Sequence, residues 1–185
     1  TGWASAQSAV TVYGVVDAGI VRESGGPGGS ITKIDSGVQS ASRLGFRGVE
    51  QLGAGYAAHF QLEAGMNIDS GASTQTGRLF GRHASVGVSG PFGSVNVGRF
   101  FNVLTNAMIA DPFGGGHEGA YTNIINHRLR TENAVYYTTP VLGGFVGELS
   151  YGAGEVAGNS KADRDSGVAI GYTAGPFAIK LAHQE

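Results

Sequence analysis

The sequence has 185 residues, of which 33 are glycine and 14% are charged, and it contains no cysteine. Each interior glycine costs a helix roughly 1 kcal/mol, so this composition excludes long helices. The lack of cysteine excludes disulfides and Fe–S clusters. The formal charge of -2 gives no reason to expect a nucleic acid partner.

Membrane crossing by helices is excluded as well, because no stretch of about eighteen apolar residues occurs. A β-strand crosses a membrane with only about 9–11 residues, of which every second one is apolar. Such a protein has unremarkable average hydropathy. The mean hydropathy of -0.01 therefore fits a transmembrane barrel as well as a soluble protein.

The N-terminal residues have the pattern of an export signal. Ala4 and Ala6 flank Ser5 and precede Gln7, which is the small-x-small pattern that signal peptidase cleaves. Residues 1–6 are therefore predicted to be the remaining end of a signal peptide. The alternative is an arbitrary end rich in alanine and serine.

Apolar side chains recur at every second position along much of the chain, which predicts β-strands with one apolar face. Residues 10–21 place only apolar or small side chains on one face, with Asp17 on the other. Residues 56–66 repeat the pattern, with Glu63 on the polar face. Shorter matches predict seven further strands, at residues 43–47, 83–89, 94–97, 130–137, 145–151, 168–173 and 177–184.

The predicted connections alternate in length. Short turns rich in glycine or proline occupy residues 51–55, 89–93, 140–144 and 174–176. Long polar loops occupy residues 23–39, 68–77, 101–129 and 153–164. This segregation is typical of an antiparallel up-and-down transmembrane β-barrel. Bacterial single-chain barrels close on an even number of strands, so nine strands predict an incomplete barrel.

Six ordered motifs resemble those of the general porins of β-proteobacteria, of the Burkholderia and Neisseria type. They read VTVYGVVDAGI at residues 10–20, SRLGFRGVEQLG at 42–53, FQLE at 60–63, VSGPFG at 88–93, VGR at 97–99 and NAVYYTTP at 133–140. The resemblance implies a sixteen-stranded barrel, a homotrimer, and a third extracellular loop that folds into the lumen. Residues 7–185 would then be the N-terminal part of one barrel domain, with the constriction loop at about 101–129.

If lipid contacts the apolar faces, the opposite faces line water, because charge at the bilayer centre costs about 2–4 kcal/mol. Arg43 and Arg47 alternate with Leu44 and Phe46 and therefore point inward. Arg130 is predicted to share its inward face with Glu132 and Tyr136. Arg82 has the parity of the apolar residues, so it needs a bulge or a place beyond the apolar band to reach the lumen.

The resemblance also implies roles for these charges. Arg43, Arg82 and Arg130 match a basic ladder on the barrel wall at the constriction. Asp111 and Glu118 would oppose it from the third loop, and Glu63 would be an acidic residue of the wall. Arg47 and Asp17 complete the predicted lining. The arginine excess favours a weak preference for anions. The alternatives are salt bridges that only stiffen the barrel, and a third loop that is external and mobile.

The sequence therefore predicts a general diffusion porin of the outer membrane that passes ions and small hydrophilic solutes passively. Its expected partners are two further copies, outer-membrane lipid and lipopolysaccharide, with no nucleic acid and no cofactor. One alternative is an outer-membrane barrel enzyme of the lipase or protease type, since His83 and Ser85 share the inward face. A second is a β-rich adhesin or lectin. Adventitious cation binding at His117, beside Asp111 and Glu118, is a further minor alternative.

Overall fold

The computed structural model describes residues 9–108, 123 and 127–185. The predicted signal-peptide end at residues 1–6 lies outside this part of the chain. Within it the structure has eleven strands and one short helix. They are β1 (Ala9–Val15), β2 (Ala18–Gly26), β3 (Gly29–Ser36), β4 (Arg43–Gly53), β5 (Tyr56–Gly65), β6 (His83–Gly90), β7 (Gly93–Phe101), α1 (Val103–Asn106), β8 (Arg130–Thr138), β9 (Phe145–Gly152), β10 (Asp165–Ala174) and β11 (Phe177–Gln184).

Nine of the described strands form a single sheet in the order β1-β4-β5-β6-β7-β8-β9-β10-β11. Each strand pairs antiparallel with the next, and β1 pairs with β4 because β2 and β3 form a separate hairpin. The nine predicted barrel strands and the all-β, up-and-down class are confirmed. None of the helices in the described residues is long and apolar enough to cross a membrane.

The prediction of one continuous strand over residues 10–21 is wrong. β1 ends at Val15, and Ala18 begins the hairpin strand β2, which pairs with β3 inside the predicted loop at residues 23–39. Asp17 lies in the break between the two strands. Its carboxylate accepts hydrogen bonds from the backbone N–H groups of residues 38, 39 and 40 at 2.9, 3.2 and 3.0 Å.

The hairpin of β2 and β3 carries its own surface ion pairs. Lys33 Nζ lies 2.8 Å from Glu23 Oε1 and 3.0 Å from Asp35 Oδ2. Hydrogen bonds to Glu23 and Asp35 raise the pKa of Lys33 above its usual range. Most of the first long loop is therefore a regular β-hairpin that carries its own ion pairs.

The connections of the nine-stranded sheet alternate in length as predicted. Between β4 and β5 the chain reverses through Gly53 and Gly55, whose φ angles of 88° and 79° are in the left-handed region that favours glycine. Short turns also join β6 to β7, β8 to β9 and β10 to β11. Because neighbouring strands are antiparallel, all four short turns lie at one end of the sheet and the long loops at the other.

The two faces of the sheet differ in chemistry. The outer face carries exposed apolar side chains on strand after strand, including Val12, Leu44, Val86, Val97, Val135, Leu149, Ile170 and Ile179. The inner face carries the polar and charged residues described below. The buried apolar cluster is small and lies where α1 packs on the inner face. It comprises Phe100, Val103, Ala134, Tyr136 and Ala169.

Candidate functional site

Pairing of β4 with β5 brings the predicted charges of these strands to one face. Arg43 pairs with Gly65, Gly45 with Glu63, and Arg47 with Gln61. Because side chains alternate along each strand, Arg43, Arg47 and Glu63 share the inner face. Glycine at the partner positions of Arg43 and Glu63 leaves room for these larger side chains.

Glu63 is the centre of this inner-face cluster and is only 8% exposed. Arg82 Nε donates a hydrogen bond of 2.7 Å to Glu63 Oε1. The hydroxyl of Tyr13 donates to Glu63 Oε2 at 2.9 Å, and Arg43 Nε lies 3.9 Å from the same oxygen. One carboxylate is thus surrounded by two guanidinium groups and a phenol. Such charge-assisted hydrogen bonds hold the groups in fixed positions.

Arg82 reaches this cluster from outside a strand. It lies one residue before β6, and its backbone N–H donates to the carbonyl of Glu63 at 3.1 Å. Its alternation with Ala84 therefore does not fix the direction of its side chain. Arg130 joins from β8, because its Nε donates to the Arg82 carbonyl at 2.8 Å and its guanidinium lies 4.2 Å from the centre of the Phe101 ring.

Arg47 lies at the edge of the same cluster. Its guanidinium carbon is 5.4 Å from the centre of the Tyr13 ring, a cation–π contact. Gln61 Nε2 donates to the Tyr13 hydroxyl at 2.7 Å. Tyr13 can cross to Glu63 because Gly45 has no side chain, and a methyl group there would overlap the Tyr13 ring. Tyr13 and Gln61 are site residues that the sequence did not predict, although the alternation along each strand puts both on the inward face.

Of the three other predicted lining residues, the structure describes only Asp17. It lies just beyond β1, and its carboxylate is hydrogen-bonded to the backbone that follows β3. It does not join the Glu63 cluster. Asp111 and Glu118 lie outside the described residues.

A bulge in β8 breaks the face that Arg130 and Glu132 are predicted to share with Tyr136. The register shifts between Gly98–Ala134 and Phe100–Thr131, and Asn133 has a φ of 52°. Thr131, rather than Arg130 or Glu132, therefore shares the buried face with Tyr136. Arg130 reaches the Glu63 cluster only at the end of β8, through its bond to the Arg82 carbonyl. Glu132 instead pairs with two arginines, Arg78 NH2 at 2.8 Å and Arg99 NH1 at 3.2 Å.

A second ion pair lies on the inner face, where Lys180 Nζ of β11 is 2.6 Å from Glu148 Oε1 of β9. Tyr136 also donates to Glu148, at 2.5 Å. Sequence parity had placed Glu148 and Lys180 on the polar faces of their strands. Their pairing was not predictable, because it depends on the order of three strands in the sheet.

The serine and histidine considered for an enzyme are in contact. His83 Nε2 and Ser85 Oγ are 2.7 Å apart on the inner face. This is the spacing of a nucleophile and a general base, but the same bond satisfies two polar groups of a strand. No cluster of three or more His, Cys, Asp or Glu side chains within residues 9–108, 123 and 127–185 has the arrangement of a metal site.

An antiparallel up-and-down sheet with an apolar outer face and a charged inner face defines the wall of a transmembrane β-barrel. The family model of Gram-negative porins matches residues 1–185. The chain belongs to this family, which consists of channels rather than enzymes and is located in the outer membrane.

Relatives and solved structures agree with this assignment. The chain is 32% identical over 195 residues to outer membrane porin protein 32 of Delftia acidovorans, covering 98% of this chain and 55% of that protein. The anion-selective porin from Comamonas acidovorans superposes with a TM-score of 0.75 at 27% identity, covering 96% of this chain and 57% of that one.

The fold extends to a more distant outer membrane protein. OmpT of Vibrio cholerae, in its trimer form, gives a TM-score of 0.67 at 20% identity over 96% of this chain and 50% of that one. The chain therefore spans about half the length of these relatives.

Proposed function

We propose that the chain forms part of the wall of an outer-membrane diffusion channel that passes ions and small hydrophilic solutes and prefers anions. The observation that carries this proposal is the inner-face cluster, in which Arg43, Arg47, Arg82 and Arg130 accompany the single carboxylate of Glu63. Permeation through such a channel is passive and needs no reaction and no cofactor.

Anion preference follows from the excess of guanidinium groups. Glu63 is already engaged by Arg82 and Arg43, so it neutralises only part of the positive charge around it. A water-filled bore with a lipid-backed wall focuses this field and raises the local concentration of anions. The anion-selective character named for the Comamonas acidovorans porin supports the same preference.

The loop at about 101–129 is proposed to narrow the bore. Support comes from its first turn, since α1 packs on the inner face against β9, β10 and β11. Asp111 and Glu118 would then supply negative charge opposite the arginines, and Asp17 would contribute near the end of β1. Opposed charges across a constriction orient ions and dipolar solutes.

The proposed assembly is a homotrimer embedded in outer-membrane lipid and lipopolysaccharide. The trimer form of the structurally similar OmpT supports the assembly. The exposed apolar residues of the outer face supply a surface for lipid and for neighbouring subunits.

Reversal potentials of the full-length protein in planar bilayers under a KCl gradient test the proposal. The current through the unmodified channel should reverse at a potential that lies on the chloride side of zero. Arg43→Glu should shift this potential toward potassium, whereas Arg22→Glu in the exposed part of β2 should shift it less. A protein without ion conductance would overturn the proposal, and equal shifts in both variants would remove Arg43 from the selective region.

A further inference from the structure

The long loop after β7 starts with a tightly held turn. Asn102 is 1% exposed and caps α1, since its Oδ1 accepts a hydrogen bond from the Thr105 N–H at 2.8 Å. The Asn102 N–H and the Thr105 hydroxyl both donate to the carbonyl of Leu129, at 3.1 and 2.9 Å. Hydrogen bonds therefore join the first residues of the loop to Leu129 at its other end.

The far end of α1 is held by the wall itself. Lys180 Nζ donates to the backbone carbonyl of Asn106 at 3.2 Å while it pairs with Glu148. Asn106 Nδ2 donates to the hydroxyl of Tyr136 at 3.1 Å, and Tyr136 donates to Glu148. One closed set of hydrogen bonds thus joins the end of the helix to β8, β9 and β11.

Strand pairing does not require this arrangement. β9, β10 and β11 are already paired along their lengths, and Lys180 crosses over Gly171 of β10 to reach Glu148. The side chains of Lys180 and Glu148 are only 12% and 13% exposed. Partial burial of an ion pair costs desolvation free energy, so the pair is a poor device for stiffening a wall.

We propose that Lys180, Glu148 and Tyr136 are positioning residues that clamp the end of α1 to the wall and so keep this first turn of the loop fixed on the inner face of the bore. The inference rests on the proposed channel function. Lys180 is the essential member, because its ammonium group has three donors and serves the wall carboxylate and the loop carbonyl together. Loss of these charge-assisted bonds should raise the population of displaced α1 about tenfold.

Single-channel recordings of the full-length protein test the clamp. Lys180→Met keeps the length of the side chain but removes the donors, so it should increase open-channel current noise and brief closures about tenfold. Lys180→Arg should restore quiet currents. Lys161→Met is the matched control, because it removes the same charge from the exposed loop at residues 153–164 and should leave the noise unchanged.

A variant with the two charges exchanged distinguishes a clamp on α1 from an ion pair that only stiffens the wall. Lys180→Glu with Glu148→Lys restores the ion pair, but the new carboxylate cannot donate to the Asn106 carbonyl. We expect resistance to thermal unfolding to recover while the excess noise persists. Quiet currents in this double variant would overturn the clamp, as would noise in Lys180→Met no greater than in Lys161→Met.

A further variant covers the case in which Lys180→Met does not fold. Asn106→Ala removes the exposed side chain of α1 that donates to Tyr136 and to the Phe101 carbonyl, and it should also raise the noise. Quiet currents in Asn106→Ala, in that case, would overturn the clamp. An unmodified protein that conducts no ions would instead contradict the channel function itself.

Discussion

Arg82 and Glu63 are joined by a hydrogen bond of 2.7 Å between Nε and Oε1, and their backbones are joined by a second bond of 3.1 Å from the Arg82 N–H to the Glu63 carbonyl. A loop residue is thereby fixed to a strand residue at two points. The position of the Arg82 guanidinium is consequently set by β5, although Arg82 belongs to no strand.

Removal of the Glu63 charge should strengthen anion preference. In Glu63→Gln the arginines keep their charge but lose the carboxylate that partly neutralises them, so the reversal potential in a KCl gradient should move toward the chloride equilibrium value. Glu155→Gln, in the exposed loop at residues 153–164, is the matched control and should cause little shift. A shift toward potassium in Glu63→Gln would contradict the assigned role.

A methyl group at Gly45 should displace Tyr13 from Glu63. Gly45→Ala inserts a side chain where the Tyr13 ring lies, and such overpacking costs about 1–3 kcal/mol of the free energy of unfolding. Urea titration of the refolded protein in detergent micelles measures this cost. The control is Gly171→Ala, whose added carbon would have ordinary contacts with Ile179 and Lys180 and should leave stability nearly unchanged. Equal stability of the two variants would disprove the overlap.

The carboxylate of Asp17 should hold the hairpin of β2 and β3 against the sheet. Asp17→Asn removes the negative charge that three backbone N–H groups share, at an expected cost of about 1–3 kcal/mol. The measurement is the rate of proteolysis within residues 18–41 of the folded protein, which should rise. Glu23→Gln removes only one partner of the partly exposed Lys33 and should leave the rate almost unchanged. An unaltered rate in Asp17→Asn would show that the turn closes without the charge.

Most of the sheet was predictable, because alternation of apolar and polar residues is a local property of each strand. The inward direction of Arg43 and Arg47 was predicted from that alternation, and the pairing of β4 with β5 puts both on the same face of the sheet as Glu63. The positions of the short turns followed from glycine and proline in the same way.

The incorrect predictions of strand ends and side-chain faces lie where the chain departs from regular alternation. Residues 18–21 continue the pattern of β1 after the turn at Asp17, so the two strands read as one. The glycine-rich run at residues 25–29, flanked by alternating residues, was the available signal for a hairpin. The bulge at Asn133 left no comparable signal, and it moved Glu132 to the face opposite Tyr136.

The link between Arg99 and Gly81 connects the two sides of the barrel wall. Arg99 belongs to the apolar side of β7 and donates from Nε to the carbonyl of Gly81 at 2.8 Å, and the next residue is Arg82. A single peptide unit therefore separates a contact on the outer face of the sheet from Arg82, whose guanidinium lies on the inner face. A substitution of Arg99 is therefore expected to shift Arg82 and to change ion selectivity, although the side chain of Arg99 does not lie on the inner face.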